Sequence, residues 1–278
     1  MDAEKEIKTM KLYSDVERIY KQLEQLGYSR TDTLKLEDVN KFDEYHYLGT
    51  DAVMHCIKEL GINSSHKVLD FGSGLGAVDL TKRCGLDTKL KHLWGDILKL
   101  DMESGSFDFL VSWLVILHIE DRKSLFNNCA RLIKPGGKMY TEDFYKLGDY
   151  DDNFSRMLKE DLFIAYLPTK DEYVKQLEQA GFTDIQFVDV TEEWTTFVSK
   201  RVEDFHAGKE SYVSVFGQAT YDGLNHFYTA VDKSFKSKAV GEKIFQVAES
   251  CKTASLKYRK LLYKCGLISE VFSSRISD

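Results

Sequence analysis

An aspartate two residues ahead of a cluster of glycines is the feature of this chain most able to do chemistry. The run is His66-Lys-Val-Leu-Asp-Phe-Gly-Ser-Gly-Leu-Gly76, an apolar strand that ends in Asp70 and turns through Gly72, Ser73, Gly74 and Gly76. Glycines at the carboxyl edge of a parallel strand let the backbone approach a ligand closely. A phosphate would be repelled by Asp70, whereas an ammonium or hydroxyl donors would be held by it. A second acid, Asp96, closes the short apolar segment Leu93-Trp-Gly-Asp-Ile-Leu98, where it can accept from an adenine-type amino group. A histidine, His118, follows the apolar run Phe107-Asp-Phe-Leu-Val-Ser-Trp-Leu-Val-Ile-Leu-His-Ile119. There it reads either as a proton acceptor at a strand mouth or as a packed core residue.

These groups need a scaffold that brings strand ends together. The run 107–119 is too long for one strand and reads as strand then loop. Leu132-Ile-Lys-Pro-Gly-Gly-Lys-Met-Tyr-Thr-Glu-Asp143 reads as a turn at Pro135, Gly136 and Gly137 leading into another strand. In this order the four segments resemble the class I S-adenosylmethionine-dependent methyltransferases, and within them the small-molecule N-methyltransferases of the phosphoethanolamine and sarcosine/dimethylglycine type. The resemblance covers roughly residues 40 to 200. It implies a Rossmann-like α/β fold with a mostly parallel sheet whose last strand is antiparallel, a helical N-terminal cap and a helical lid insertion. The implied cofactor is S-adenosyl-L-methionine, and the implied partner is a small polar methyl acceptor such as an amine.

The resemblance also distributes roles. Asp70, Gly72, Ser73, Gly74, Gly76, Asp96 and Ile97 fall at the cofactor, and Trp113 matches a residue flanking the adenine, with core packing as the other reading. Tyr45 and His46, in Phe42-Asp-Glu-Tyr-His-Tyr-Leu-Gly49, match a segment that closes over the cofactor, while Tyr47 and Tyr166 match the acceptor side and lid. Aromatic faces there would favour a cationic methyl donor or ammonium. His118 and Tyr28 match catalytic positions.

Three departures stand out. Asp70 and Asp96 are too close in sequence for two crossovers of roughly 30 residues or more each. About 20 to 30 residues near Gly76–Leu80 are therefore expected to be missing relative to the family, taking with them its second strand and the acid that grips the ribose hydroxyls. Asp79 and Asp87 lie in the shortened connection but follow no apolar strand. The strands on either side are expected to meet across a gap or leave buried backbone unpaired. Second, the aspartate that partners the histidine in phosphoethanolamine enzymes is Leu114 here. Third, Asp161-Leu-Phe-Ile-Ala-Tyr166 lacks the arginine those enzymes place before the tyrosine. The shortened connection motivates an alternative: a non-catalytic or impaired isoform acting through protein contacts.

The chain has 278 residues, 43% of them hydrophobic, which suffices for a full core. A formal charge of −7 with no basic block argues against nucleic acid as the partner. Five cysteines without a Cys-x-x-Cys pair argue against a disulfide framework or a metal site. The absence of a long apolar run or signal-like segment points away from a membrane and to a cytoplasmic protein, as a monomer or dimer. The expected organisation is a helical cap over 1–63, a cofactor-binding core over 64–190, a lid and final strand over 191–250, and a basic tail over 251–278. Within the core, Thr169 and Glu172 predict a capping box opening a helix that Gly181 terminates.

Overall fold

A computed structural model describes residues 17–41, 48–72, 77–164, 166–249 and, as backbone, 269–274. The strands are β1 (Val68–Phe71), β2 (Leu90–Gly95), β3 (Phe107–Trp113), β4 (Ile133–Lys146), β5 (Phe182–Asp189), β6 (Val240–Glu249) and β7 (Ser269–Ser274). They form one sheet in the order β2-β7-β1-β3-β4-β6-β5. β1 and β3 pair in parallel, as do β3 and β4, while β6 runs antiparallel between β4 and β5. β3 is buried at Phe107, Phe109, Leu110, Val111 and Ser112, the near-continuous burial expected of a parallel strand covered on both faces. The expected turn at 135–137 is absorbed into β4, whose register shifts against β3 between Phe107 and Phe109. Gly137 is required there, because a Cβ would come within 2.6 Å of the Asp108 carbonyl.

Helices cover both faces. α1 (Glu17–Gln25), with Ile19 and Leu23 buried, joins Leu34 and Val39 of α2 (Leu36–Val39) and its lead-in to Leu80 of α4 (Ala77–Arg83). α3 (Gly49–Leu60) packs Cys56 and Leu60 on Phe109, Val111 and Tyr140. On the opposite face, α5 (Arg122–Leu132) and α7 (Lys170–Ala180) bury Phe126, Cys129 and Leu177 against Leu69, Phe71, Leu110 and Phe245. α7 carries the predicted capping box and ends on Gly181 in the left-handed conformation. The region predicted as a lid is helical: α8 (Thr191–Ala207), α9 (Lys209–Phe216) and α10 (Gln218–Lys236), with α6 (Asp152–Asp161) beside them. Trp194 and Phe235 stack at 6.1 Å, and Phe144 of β4 meets Phe235 edge-on at 5.1 Å. The same cluster takes in Leu117 and Val240, so this layer stands over the carboxyl end of β4.

Two sequence expectations need correction here. The antiparallel strand is not the last one, and residues 251–278 are not merely a tail, because β7 follows β6. Nor does the sheet gap: β7 fills the slot between β1 and β2, parallel to both, with Asp70 level with Val271 and His92 level with Val271 on the other side. The expectation failed because it counted only strands adjacent in sequence, whereas a ladder needs only a strand within reach.

Candidate active site

The carboxyl ends of β1 and β3 are locked together. Ser112 Oγ donates to the Phe71 carbonyl at 3.2 Å. Gly72 turns the chain at φ +100°, and a Cβ on it would lie 2.1 Å from Val115 Cγ2. No other residue fits there without moving the β3 loop. Half-buried Asp70 stands at this turn, and burial pushes its carboxyl up to about 7. Among the described residues nothing hydrogen-bonds that carboxylate. Ser73, Gly74 and Gly76 lie outside the described residues.

Asp96 follows β2. Its Oδ1 accepts from the Leu98 amide at 2.9 Å, and its Oδ2 lies 3.4 Å from the exposed Lys99 ammonium. Ile97, assigned to the cofactor by resemblance, is 1% exposed within the sheet core, and its carbonyl accepts from the Asn128 side chain. Its side chain is a core group, and only its main chain can face a ligand. Trp113, at the end of β3, packs 6.2 Å from Tyr140. It is level with Glu142 of β4. The Tyr140 hydroxyl donates to Glu142 Oε1 at 2.6 Å and lies 3.1 Å from His55 Nδ1 of α3. Burial raises the Glu142 carboxyl, and the Tyr140 and Trp113 side chains offset part of that rise.

His118 closes a 3-10 turn, Ile116–His118, directly after β3. Its Nδ1 lies 2.7 Å from the Phe163 carbonyl. A carbonyl only accepts, so Nδ1 carries hydrogen and Nε2 is left as the acceptor. Burial holds the imidazole below its ordinary pKa, which keeps it neutral. The turn is fixed from behind by Asp143, whose Oδ2 accepts from the Leu117 amide at 3.1 Å and whose Oδ1 accepts from Phe144 at 2.8 Å. Leu114 and Phe163 both sit at φ +55°, a conformation that costs an L-residue about 1–2 kcal/mol. Strained backbone thus flanks the histidine on both sides.

Other assigned residues are placed elsewhere. The Tyr28 hydroxyl donates to Asp38 Oδ2 at 2.7 Å in the α1–α2 cluster, and among the described residues no hydrogen bond joins it to His118. Tyr166 lines a cavity of about 620 Å³ between α5 and α7, with Arg122, Lys123 and Gln176; neither Asp70, Asp96 nor His118 lines it. Buried Arg122 donates from its two terminal nitrogens to the Tyr166 carbonyl and the Tyr173 hydroxyl, at 2.9 and 3.0 Å. Asp79 accepts from Tyr20 at 3.2 Å, and Asp87 is exposed, so neither replaces an acid at a strand end. Tyr45, His46 and Tyr47 lie outside the described residues.

Sequence reasoning missed Asp143, Glu142 and Lys243. Lys243 is fully buried, with its ammonium 4.0 Å from the Tyr173 ring centroid and 3.3 Å from the Asp143 carbonyl, and burial lowers its pKa to about 8. The only signal was charge inside apolar strands, which reads equally as a solvated edge. Among the described residues no group of His, Cys, Asp and Glu could hold a metal ion, and no helix is long and apolar enough to cross a membrane.

A family model described as a methyltransferase domain matches residues 52–141. Phosphoethanolamine N-methyltransferase 1 of Zea mays is 25% identical over 227 residues, covering 73% of this chain and 45% of that protein. The Plasmodium falciparum phosphoethanolamine N-methyltransferase is 24% identical over 217 residues, covering 68% of this chain and 81% of its own. The chain spans about half the length of the plant relatives it matches. Among solved structures, Haemonchus contortus phosphoethanolamine N-methyltransferase 2 with S-adenosyl-L-methionine aligns at a TM-score of 0.69 and 19% identity, over 90% of this chain and 60% of that one. A putative sarcosine dimethylglycine methyltransferase from Galdieria sulphuraria aligns at 0.62 and 15% identity, over 85% and 98%. The matched methyltransferase domain takes in the strands that carry Asp70 and Asp96 and the turn at His118, and the chain shares the fold of these S-adenosylmethionine-dependent methyltransferases.

Proposed function

We propose that this chain binds S-adenosylmethionine across the carboxyl ends of β1, β2 and β3 and transfers its methyl group to a small polar acceptor. Two observations support the fit. The Gly72 turn brings the backbone after β1 against Val115 of the β3 loop, closer than any Cβ allows, and the Asp70 carboxylate beside it is raised by burial with no described donor to relieve it. An ammonium there would restore its charge. When bound, the cofactor supplies an electrophilic methyl group on a sulfonium.

The observation that carries the catalytic reading is the His118 tautomer. Nδ1–H is held by the Phe163 carbonyl, so Nε2 is oriented to take or hold a proton of the acceptor. Asp143 positions the turn through the Leu117 and Phe144 amides, and the Phe163 carbonyl orients the imidazole in place of the side-chain partner that Leu114 cannot be. The helical layer α8–α10 stands over β4's carboxyl end, where it would exclude water. The acceptor belongs to the amine class of the relatives, without a requirement for phosphate, since the segment 161–166 carries no arginine before Tyr166. Incubation with S-adenosylmethionine and phosphoethanolamine, sarcosine or dimethylglycine, following S-adenosylhomocysteine by mass spectrometry, tests this. Transfer to a non-phosphorylated amine supports it. Failure to bind S-adenosylhomocysteine at all overturns it, and binding without turnover on any amine supports a non-catalytic chain instead.

A further inference from the structure

The sheet is completed by a segment that a sequence reading discards. β1 and β2 are joined through the single short helix α4 and are not neighbours; the slot between them belongs to β7. On one side Leu69, Asp70 and Phe71 are level with Glu270, Val271 and Phe272. On the other, β2 pairs along its whole length, from Leu90 with Ser269 to Gly95 with Ser274. Both ladders are parallel, so β7 is a central strand, and its removal would orphan the facing backbone groups of two strands.

The topology permits this. β6 is antiparallel to β4 and ends level with Lys138, at the amino edge of the parallel strands, which is also where β7 begins. The connection therefore has no need to cross the length of the sheet. It must shift sideways by four inter-strand steps, about 19 Å. The residues 250–268 have several times that reach when extended.

The placement has a functional consequence. Ligands of open α/β sheets lie outside the carboxyl ends of the strands. The carboxyl end of β7 lies between Gly72, next after Phe71, and Asp96, next after Gly95, so Ser273 and Ser274 stand at the register positions between the two cofactor loops. We propose that β7 is an inserted strand that assembles the cofactor site, its carboxyl end bringing main-chain groups to the register positions between the two cofactor loops. Binding is then conditional on insertion of the carboxyl-terminal segment, a reading that rests on the cofactor site proposed above.

Hydrogen exchange on the full chain tests the insertion without any ligand. Amides of 269–274 are expected to exchange at least about 100-fold more slowly than unstructured chain. Val271→Pro, which removes a donor from a central strand, is expected to abolish that protection, to loosen 90–95, and to weaken S-adenosylhomocysteine binding by at least about tenfold. Val271→Thr, which keeps the donor and the β-branch, is expected to preserve all three. Exchange of 269–274 at unstructured rates in the wild-type chain overturns the proposal, as does wild-type affinity in V271P. If V271P does not fold, the wild-type exchange decides. Protection of 269–274 in a chain that binds no S-adenosylhomocysteine leaves the inserted strand standing and overturns the methyl-transfer reading instead.

Discussion

Affinity for the cofactor product should depend on pH through Asp70. Burial holds the carboxyl of the ligand-free protein at about 7, so it is about one-eleventh ionised at pH 6, half at pH 7 and ten-elevenths at pH 8. An ammonium ligand pairs with the ionised form. If pairing lowers the bound-state pKa well below 6, affinity for S-adenosylhomocysteine rises about tenfold from pH 6 to pH 8, roughly 1.4 kcal/mol. The ligand's own ammonium remains charged to about pH 8, so it does not mask the trend. The sign for stability is opposite in the free protein. A carboxyl raised above its unfolded value destabilises the fold as pH climbs from the unfolded pKa towards 7, and the ligand relieves that penalty. The ligand-induced rise in Tm should therefore be larger at pH 8 than at pH 6. Calorimetric titration with S-adenosylhomocysteine at pH 6, 7 and 8, on the wild type and Asp70→Asn, is the assay. Asp70→Asn is expected to bind more weakly at pH 8 and to lose the slope. Constant wild-type affinity over this range, or the same slope in Asp70→Asn, would refute the assignment of Asp70 to the ligand's ammonium.

Other outcomes follow from the same geometry. Gly72→Ala meets Val115 Cγ2 at 2.1 Å and places a Cβ at φ +100°, so it should cost about 2–4 kcal/mol by denaturant titration, with part regained in Gly72→Ala/Val115→Ala. His118→Ala should lower kcat by about 10²–10⁴-fold once an acceptor is identified, with S-adenosylhomocysteine affinity nearly unchanged; a loss under threefold would return His118 to a packing role. Thr169→Ala removes the side chain that accepts from the Glu172 amide and should cost about 0.5–2 kcal/mol of stability without affecting cofactor binding.

What the sequence revealed was whatever local rules encode. The helix 170–180 was readable to its caps because Thr169, Glu172 and Gly181 each satisfy backbone groups within a turn. β3 was readable because a strand buried on both faces needs an unbroken apolar run. Asp70 and Gly72 were readable as a pair because the turn that needs a glycine follows the acid within two residues. What stayed hidden depends on distant neighbours. Ser269–Ser274 has only Val271 and Phe272 to mark it as a strand, and its pairing partners lie far upstream. Ile97 was assigned to the ligand from its position beside Asp96, but the turn at Asp96 directs it into the core. Tyr28 was matched by spacing, yet Asp38 claims its hydroxyl. Asp143 and Lys243 are charges buried among aromatic rings, an arrangement visible only after β4 and β6 are side by side.

The position of β7 also sets an order for building the molecule. β1 and β2 emerge from synthesis well before the strand that lies between them, because β3 to β6 are all made in between. At about 5–20 residues per second, the delay between β2 and β7 is roughly 10–35 s. Throughout it, β1 and β2 each present an open edge on the nascent chain, while β3 pairs with β4 and, late in the interval, β6 joins β4 and β5. Closure of the sheet joins residues far apart in the sequence, the kind of non-local contact that slows folding. Open strand edges are templates for pairing with another chain, so the interval before β7 arrives is when this sheet is most exposed to it.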